Sequence, residues 1–491
     1  MRARTRNTLS LLVGAVAVAA CSDPQTPTLP TRSAAHVAST PRSDGYIVVL
    51  KSGGARFNRV SAGVRLGDVI PLDPSSTGQD AIVTDVVPSI NGIVVRGAAS
   101  ANDISGDDVE EVIPNYVAEI SDPAPDASMV ASPDFDQDPT GTDQAGAFFF
   151  ANNTQWSYKK VSANRVWVPS RGGAGAKVCI TDSGIDIGHA GFVGKPIEGA
   201  SFIVNSSAFT DTAGHGSHVA GTVSTNGAGG ASVAPDVSLM MAKVFNGVGG
   251  GASTAVVLNA VAWCTDNGAD VINMSLGFTG GIPTAANQAF IAAYQAGLDY
   301  ATSRGVLIVA SGGNDGFTLP VPDRTFLPSE AAGVVSVAAT GPTTNLAPFG
   351  NNATWTMPGI AFDGIASYSN RGPVPSIDLS APGGDFFTGW PGQSLVTSVC
   401  SRQFNFGTAT SPSFLCAANN FWVGLGGTSM AAPHVAGVAA LIRARWPGST
   451  RSTALRNKIE SCLFRSVDNI GPTSIFGRGR VNAYKAVTQP C

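Results

Sequence analysis

Four short segments carry side chains of the kinds that break covalent bonds. "KVCITDSGID" ends an apolar run on Asp182, and "DTAGHGSHVAGTV" sets His215 and His218 three apart at the entry to a run of small residues. "GVLIVASGGNDG" ends another apolar run with Gly313 and Asn314, and "GGTSMAAPHVAG" puts Ser429 behind two glycines at the mouth of a helix of small residues. Each is ordinary alone: an aspartate or asparagine in a turn, a serine capping a helix. Together they supply a carboxylate, an imidazole, an amide and a hydroxyl. A serine hydroxyl is a weak nucleophile until a histidine takes its proton, and that imidazole needs a carboxylate to hold its tautomer and stabilise its charge. Metal binding by the two histidines is the competing chemistry, but the nearest carboxylate, Asp211, lies upstream and no third ligand is apparent. A catalytic base, His215, beside a packed His218 fits better. The glycines ahead of Ser429 permit close approach of another backbone, and Ala431, Ala432 and Gly437 let the helix cross a crowded core. Its start aims N–H groups and the positive end of the helix dipole at any anion forming beside Ser429.

Residues this far apart need a frame. Beyond about residue 154, apolar runs such as "AKVCITDSG", "VSLMMAKVF", "DVINMSLG", "GVLIVASGG" and "GVVSVAAT" alternate with helical stretches. Continuous apolar strands separated by helices predict an α/β fold with a mostly parallel sheet and helices on both faces, whose chemistry sits at the carboxyl ends of the strands. Ahead of it, "YIVVL", "AIVTDVV" and "GIVVRG" predict strands, and "DDVEEVIPNYVAEI" an acidic helical turn leading into a last strand. Residues 44–121 are therefore expected to form a small α+β domain, 122–153 a Pro- and Asp-rich linker holding the processing site, and 154–491 the main domain.

The first residues place Arg2, Arg4 and Arg6 before an apolar run from Leu9 to Ala20, an export signal too short for the roughly 20 residues that span a bilayer. Val18, Ala19, Ala20 and Cys21 resemble the bacterial lipobox, whose cysteine is acylated; cleavage after Ala17-Val18-Ala19, with Cys21 incidental, is the alternative. Residues 22–43 read as a Pro/Ser/Thr tether. Charged residues make up 13% of the 491, and a net charge of −4 without a basic block argues against a nucleic-acid partner. Besides Cys21 there are six cysteines and no CxxC pair, which in an exported chain favours disulfides. Of their fifteen connectivities, the nearest-neighbour pairs Cys400 with Cys416 and Cys462 with Cys491 are expected first, leaving Cys179 with Cys264.

The order Asp, His, Asn, Ser resembles that of the subtilisin-like serine proteases. So do "VAPDVSLMMAKVF", "NGADVINMSLG", "ASYSNRGP", "IDLSAPGG" and "GRGRVNAYKAV", which extend the likeness over roughly residues 155–487. The resemblance implies a serine endopeptidase in which Asp182 orients, His215 is base and then acid, Ser429 attacks the scissile carbonyl, and Asn314 with Ser429 holds the oxyanion. It implies polypeptide substrates bound as an added β-strand along Gly249, Gly250 and Gly251 and along Ser275, Leu276 and Gly277, with Gly313 also at the site. Phe326, counted from Pro328, would stand in the primary pocket and favour small side chains before the cut. The N-terminal domain resembles the family's propeptide, an intramolecular inhibitor, although "SGGARFNRVSAGVRLGD" is too glycine-rich for a firm first helix.

Three departures stand out. Where many members read His-Pro-Asp, the Asp being a calcium ligand, this chain has His189, Ala190 and Gly191, so structural calcium is expected only at ligands the sequence does not name. Between Gly384 and Leu425 an inserted loop carries Cys400 and Cys416, either bordering the cleft or making a stapled excursion. Ser217 stands where Thr is commoner. No cofactor is expected for the chemistry. The protein is expected to be a monomeric self-processing zymogen in the cell envelope or outside the cell, touching the membrane only through lipid on Cys21. The competing function is an inactive member of the same fold that binds peptides.

Overall fold

Alternation along one strand explains the layered architecture. In Lys177–Asp182, Val178 and Ile180 pack into one core and Cys179 into another, so neither face of the strand meets water. The structure, a computed structural model, describes residues 41–51, 66–70, 80–98, 100–120, 129–130, 147, 155–167, 171–247, 249–341, 363–385, 394–404, 416 and 422–491. The export signal with Cys21, most of the tether, most of the weak first helix and most of the 122–153 linker lie outside the described residues.

The strands used below are β1 (Ser43–Leu50), β2 (Ala81–Val87), β3 (Gly92–Arg96), β4 (Val109–Ala118), β5 (Lys177–Asp182), β6 (Ile197–Ser201), β7 (Ser238–Lys243), β8 (Ala252–Ser253), β9 (Val271–Met274), β10 (Leu307–Ser311), β11 (Val334–Gly341), β12 (Leu379–Pro382), β13 (Val396–Val399) and β14 (Trp422–Leu425). The helices are α1 (His215–Val223), α2 (Thr254–Asp266), α3 (Gln288–Thr302), α4 (Thr428–Arg443) and α5 (Thr453–Arg465).

The main sheet runs β12-β11-β10-β9-β5-β7-β6, all parallel, with the short strands Val467–Asp468 and Arg480–Val481 beyond β12. Helices α1, α4 and α5 cover one face and α2 and α3 the other, which gives the expected α/β layers. Three disulfides pair Cys179 with Cys264, Cys400 with Cys416 and Cys462 with Cys491. The first ties β5, which ends on Asp182, to α2. Among the described residues no helix is long and apolar enough to cross a membrane.

The N-terminal domain is an antiparallel sheet in which β1 lies between β4 and β3, with β2 outside β3. One expectation fails here. "DDVEEV" is no helical turn: after a turn at Asp107–Asp108, β4 runs straight through Glu110 and Glu111. The pairing of Val112 and Ile113 with β1 and the burial of Ile113 outweigh the local helical preference of the glutamates. Ile113 and Tyr116 bring this domain into the same core as α2 and α3, and the Tyr116 hydroxyl donates to Asn287 at 2.8 Å.

Candidate active site

Asp182 is the last residue of β5, fully buried, and one carboxylate oxygen accepts the Ser183 N–H at 2.7 Å. His215 opens α1, and its Nδ1 lies 2.8 and 3.0 Å from the two Asp182 oxygens. That pair fixes the tautomer: Nδ1 carries the proton towards the carboxylate, and Nε2 is the basic nitrogen. The approach of helix to strand requires glycine at position 216, where a Cβ would come within 2.2 Å of the Gly184 carbonyl oxygen. His218, one turn on, is a packed histidine whose Nε2 lies 3.0 Å from the Val396 and 3.1 Å from the Val423 carbonyl oxygen.

The turn before His215 is held by groups that the sequence did not single out. Asp211 is buried, and its carboxylate accepts four hydrogen bonds, from the Ser183 hydroxyl (2.8 Å), the Gly214 N–H (2.9 Å), and the Ser217 N–H (2.8 Å) and hydroxyl (2.7 Å). Burial raises its pKa against the pull of those donors, and the nearby Asp182 charge adds to the rise. Lys243, also buried, donates to the Ser183 and Thr210 carbonyls, and burial lowers its pKa while Asp211 and Asp182 oppose the fall. The Ser217 hydroxyl also accepts the Asp186 N–H at 2.9 Å. Asp211 was legible only as a poorly placed metal ligand.

Residues 401–404 of the inserted loop reach this same turn. The Ser401 hydroxyl donates to the Asp211 carbonyl (2.7 Å), the Gln403 side-chain oxygen accepts the Asp211 N–H (2.7 Å), and the Phe404 ring lies against Gly214. Arg402 forks onto Asp186 with two bonds of 2.9 Å and adds its own N–H at 2.8 Å. Burial works against the Asp186 charge, but Arg402 holds its pKa below the usual range. Of the two courses open to the loop, residues 401–404 take the one beside His215; residues 405–415 and 417–421 lie outside the described residues. The calcium-binding carboxylate expected from the family's His-Pro-Asp has no counterpart here, because residue 191 is a glycine.

Ser429 lies in the first turn of α4 and is 2% exposed. Pro433, four residues on, has no N–H to give the Ser429 carbonyl. Ser275 supplies the missing donor: its hydroxyl reaches the Ser429 carbonyl at 2.8 Å and is itself held by the Asn273 amide at 2.9 Å. The Ser275 carbonyl stands 3.5 Å from the Ser429 hydroxyl. Asn314, beyond the end of β10, accepts from the Thr428 N–H (2.9 Å) and hydroxyl (2.8 Å), which fixes the flip of its amide. Gly313 donates to that same hydroxyl at 3.2 Å.

Ser429, Asn314, Gly313, Leu276, Gly277 and Phe326 line one recess, in which the space open to a water-sized group is about 20 Å³, room for roughly one water. The buried Phe326 ring closes it, packed on Phe317 at 5.5 Å. On the strand-binding edges, Gly277 pairs with Glu119. The other ladder that the N-terminal strand makes lies at Ala252 and Ser253, which pair with Ala118 and Val117 one residue beyond Gly251. Gly249 has φ of +72° and Gly250 packs on the Asn246 carbonyl, so this stretch turns before the ladder begins; Gly251 lies against Val117.

A buried Asp-His pair at one strand end, with a serine at a helix start and an asparagine amide beside it on a doubly covered parallel sheet, defines a serine hydrolase of the α/β class. Comparison with known proteins gives the family: residues 173–479, more than half of the chain, match the subtilase family, and the chain belongs to it. It is 32% identical to subtilisin DY of Bacillus licheniformis over 68% of this chain and 99% of that protein. It is 30% identical to thermitase of Thermoactinomyces vulgaris over 69% of this chain and 97% of that one. In fold it is similar to the epidermin leader peptide processing serine protease of Staphylococcus aureus, with a TM-score of 0.63 at 19% identity, covering 90% of this chain and 97% of that one. The protein is thus a serine peptidase that acts on polypeptides.

Proposed function

We propose that the protein is an exported endopeptidase made as a self-processing zymogen, with Asp182, His215 and Ser429 as its triad. The reading rests above all on the bidentate approach of the His215 Nδ1 to Asp182, which leaves the basic Nε2 to serve Ser429. His215 takes the Ser429 proton as the hydroxyl attacks the scissile carbonyl, then returns it to the departing amine; water repeats the cycle on the acyl-enzyme. Asp182 stabilises the imidazolium formed in each half. Asn314 donates to the oxyanion, its amide preset by Thr428. The N-terminal domain acts as an intramolecular inhibitor, since Val117, Ala118 and Glu119 occupy the edges a substrate strand would use. Lipid on Cys21 holds the precursor at the membrane, and no cofactor takes part in the chemistry. A phosphonylating reagent should label Ser429 in the mature protein and abolish peptide cleavage. An unlabelled Ser429 in protein that still binds peptides would mean a peptide-binding member of the family.

A further inference from the structure

The segment 324–330, which carries Phe326 into the recess beside Ser429, lies between two spaces. Phe326, Leu327 and Ser329 line the recess, with about 20 Å³ open to a water-sized group. Arg324, Thr325 and Glu330 line a second cavity of about 610 Å³, walled also by Pro320, Val321 and Phe464. That is several times the roughly 150 Å³ that holds a benzene ring. An aromatic side chain with so much room nearby must be held where it stands.

The hold is on the main chain. The Phe326 N–H donates to a Glu330 carboxylate oxygen at 2.9 Å, and the Phe326 carbonyl accepts the Glu330 N–H at 2.7 Å and the Ser329 hydroxyl at 3.0 Å. Burial raises the Glu330 pKa, and the bonds from Phe326 and Ser376 oppose the rise. A carboxylate kept there against burial is not a solvated surface charge. At the ring's edge, a Cβ on Gly281 would stand 3.1 Å from Phe326. That turn is clamped by Arg324, which donates to the Gly280 and Gly281 carbonyls at 2.7 and 3.3 Å, and by Asp315, which accepts the Gly280 N–H at 3.1 Å. Packing on Phe317 adds apolar contact, which has no direction of its own.

We propose that Glu330 is a positioning residue for specificity, whose carboxylate holds the Phe326 ring across the recess. The inference rests on the endopeptidase reading above, with that recess as the primary pocket. Without the acceptor the Phe326 N–H is left buried and unpaired, and the segment relieves that cost by giving way towards the larger cavity. The recess then admits side chains that the wild type excludes, while Asp182, His215 and Ser429 are untouched.

The test uses enzyme matured from the full-length chain, with kcat/KM expressed per active site titrated by a phosphonylating reagent. Paired peptide substrates differ only in Ala or Phe before the cut. Wild type should favour Ala at least about tenfold. Glu330→Ala and Glu330→Leu, the second of which keeps the bulk, should raise kcat/KM for Phe about tenfold and leave that for Ala within about twofold. Glu330→Gln should keep the wild-type ratio, because its amide oxygen accepts the same N–H. A merely structural role would lower both substrates together and leave their ratio alone. An unchanged ratio in Glu330→Ala and Glu330→Leu, or a lost one in Glu330→Gln, overturns the role of Glu330 and leaves the pocket standing. A wild type that favours Phe overturns the pocket assignment and this inference with it. An enzyme whose Ser429 takes no label overturns the endopeptidase reading and both that depend on it.

Discussion

Single side chains at this site repeatedly supply what a neighbour lacks. Pro433 deprives the Ser429 carbonyl of its helical donor, and Ser275 provides one at 2.8 Å. Phe326 closes the recess beside Ser429, so specificity is expected to follow side-chain volume: peptides with Ala before the cut should be hydrolysed at least about tenfold better, in kcat/KM, than those with Phe. Phe326→Gly should reverse that order, and a Phe preference in the wild type would refute the assignment of the ring. His434 supplies a pH dependence. It is buried in α4 with Nδ1 2.8 Å from the Met430 carbonyl oxygen and its ring against Tyr158, and burial lowers its pKa to about 4. An unfolded histidine titrates near 6.5. Below that pH the unfolded chain binds a proton that the folded protein refuses, so this contribution is whole above about pH 6.5 and is lost as pH falls towards 4. Between pH 7 and pH 5, Ser429→Ala protein should lose about 2 kcal/mol more unfolding free energy than the same protein carrying His434→Gln, read from urea titrations. Equal losses would place the titration elsewhere.

At the scale of elements, the sequence disclosed the ends of strands and the starts of helices but not what braces them. Asp182 at the end of β5, His215 opening α1 and Ser429 opening α4 all sit at junctions that local patterning marks, because an apolar run ends there and glycine or serine begins. Asp211 and the inserted loop could not be read in the same way, since the Ser401 to Asp211 contact joins residues 190 positions apart. The strand through "VEEV" was hidden for a related reason: its partner β1 lies some sixty residues earlier in the chain, beyond the reach of local propensity. The brace has a kinetic consequence. Arg402→Ala frees Asp186 and loosens the turn that aims His215, so kcat should fall about tenfold with little change in KM, measured by steady-state kinetics normalised to titrated active sites. Arg402→Lys should restore little, because an ammonium cannot reproduce two bonds in one plane. An unchanged kcat in Arg402→Ala would reduce the inserted loop to a surface excursion.

Across the whole molecule, the two domains share a core but only one covalent thread. Ile113 and Tyr116 pack with residues of α2 and α3, the Thr254 hydroxyl donates to the Tyr116 carbonyl at 2.9 Å, and the Asn115 side chain accepts the Ala255 N–H at 3.1 Å. These contacts hold the N-terminal domain in the cleft, yet nothing in them is covalent. On the proposed reading Cys21 carries the lipid and lies on that domain's side of any cut made in the cleft, so self-cleavage would separate lipid from catalyst. Ser429→Ala protein should therefore remain full-length in the membrane fraction. Wild-type catalytic domain should be recovered soluble, without Cys21, once its bound inhibitor has been digested. Cell fractionation with intact mass of each pool reads this directly. Mature wild-type enzyme that stays membrane-bound and still carries Cys21 would show that cleavage in the cleft is not what frees it.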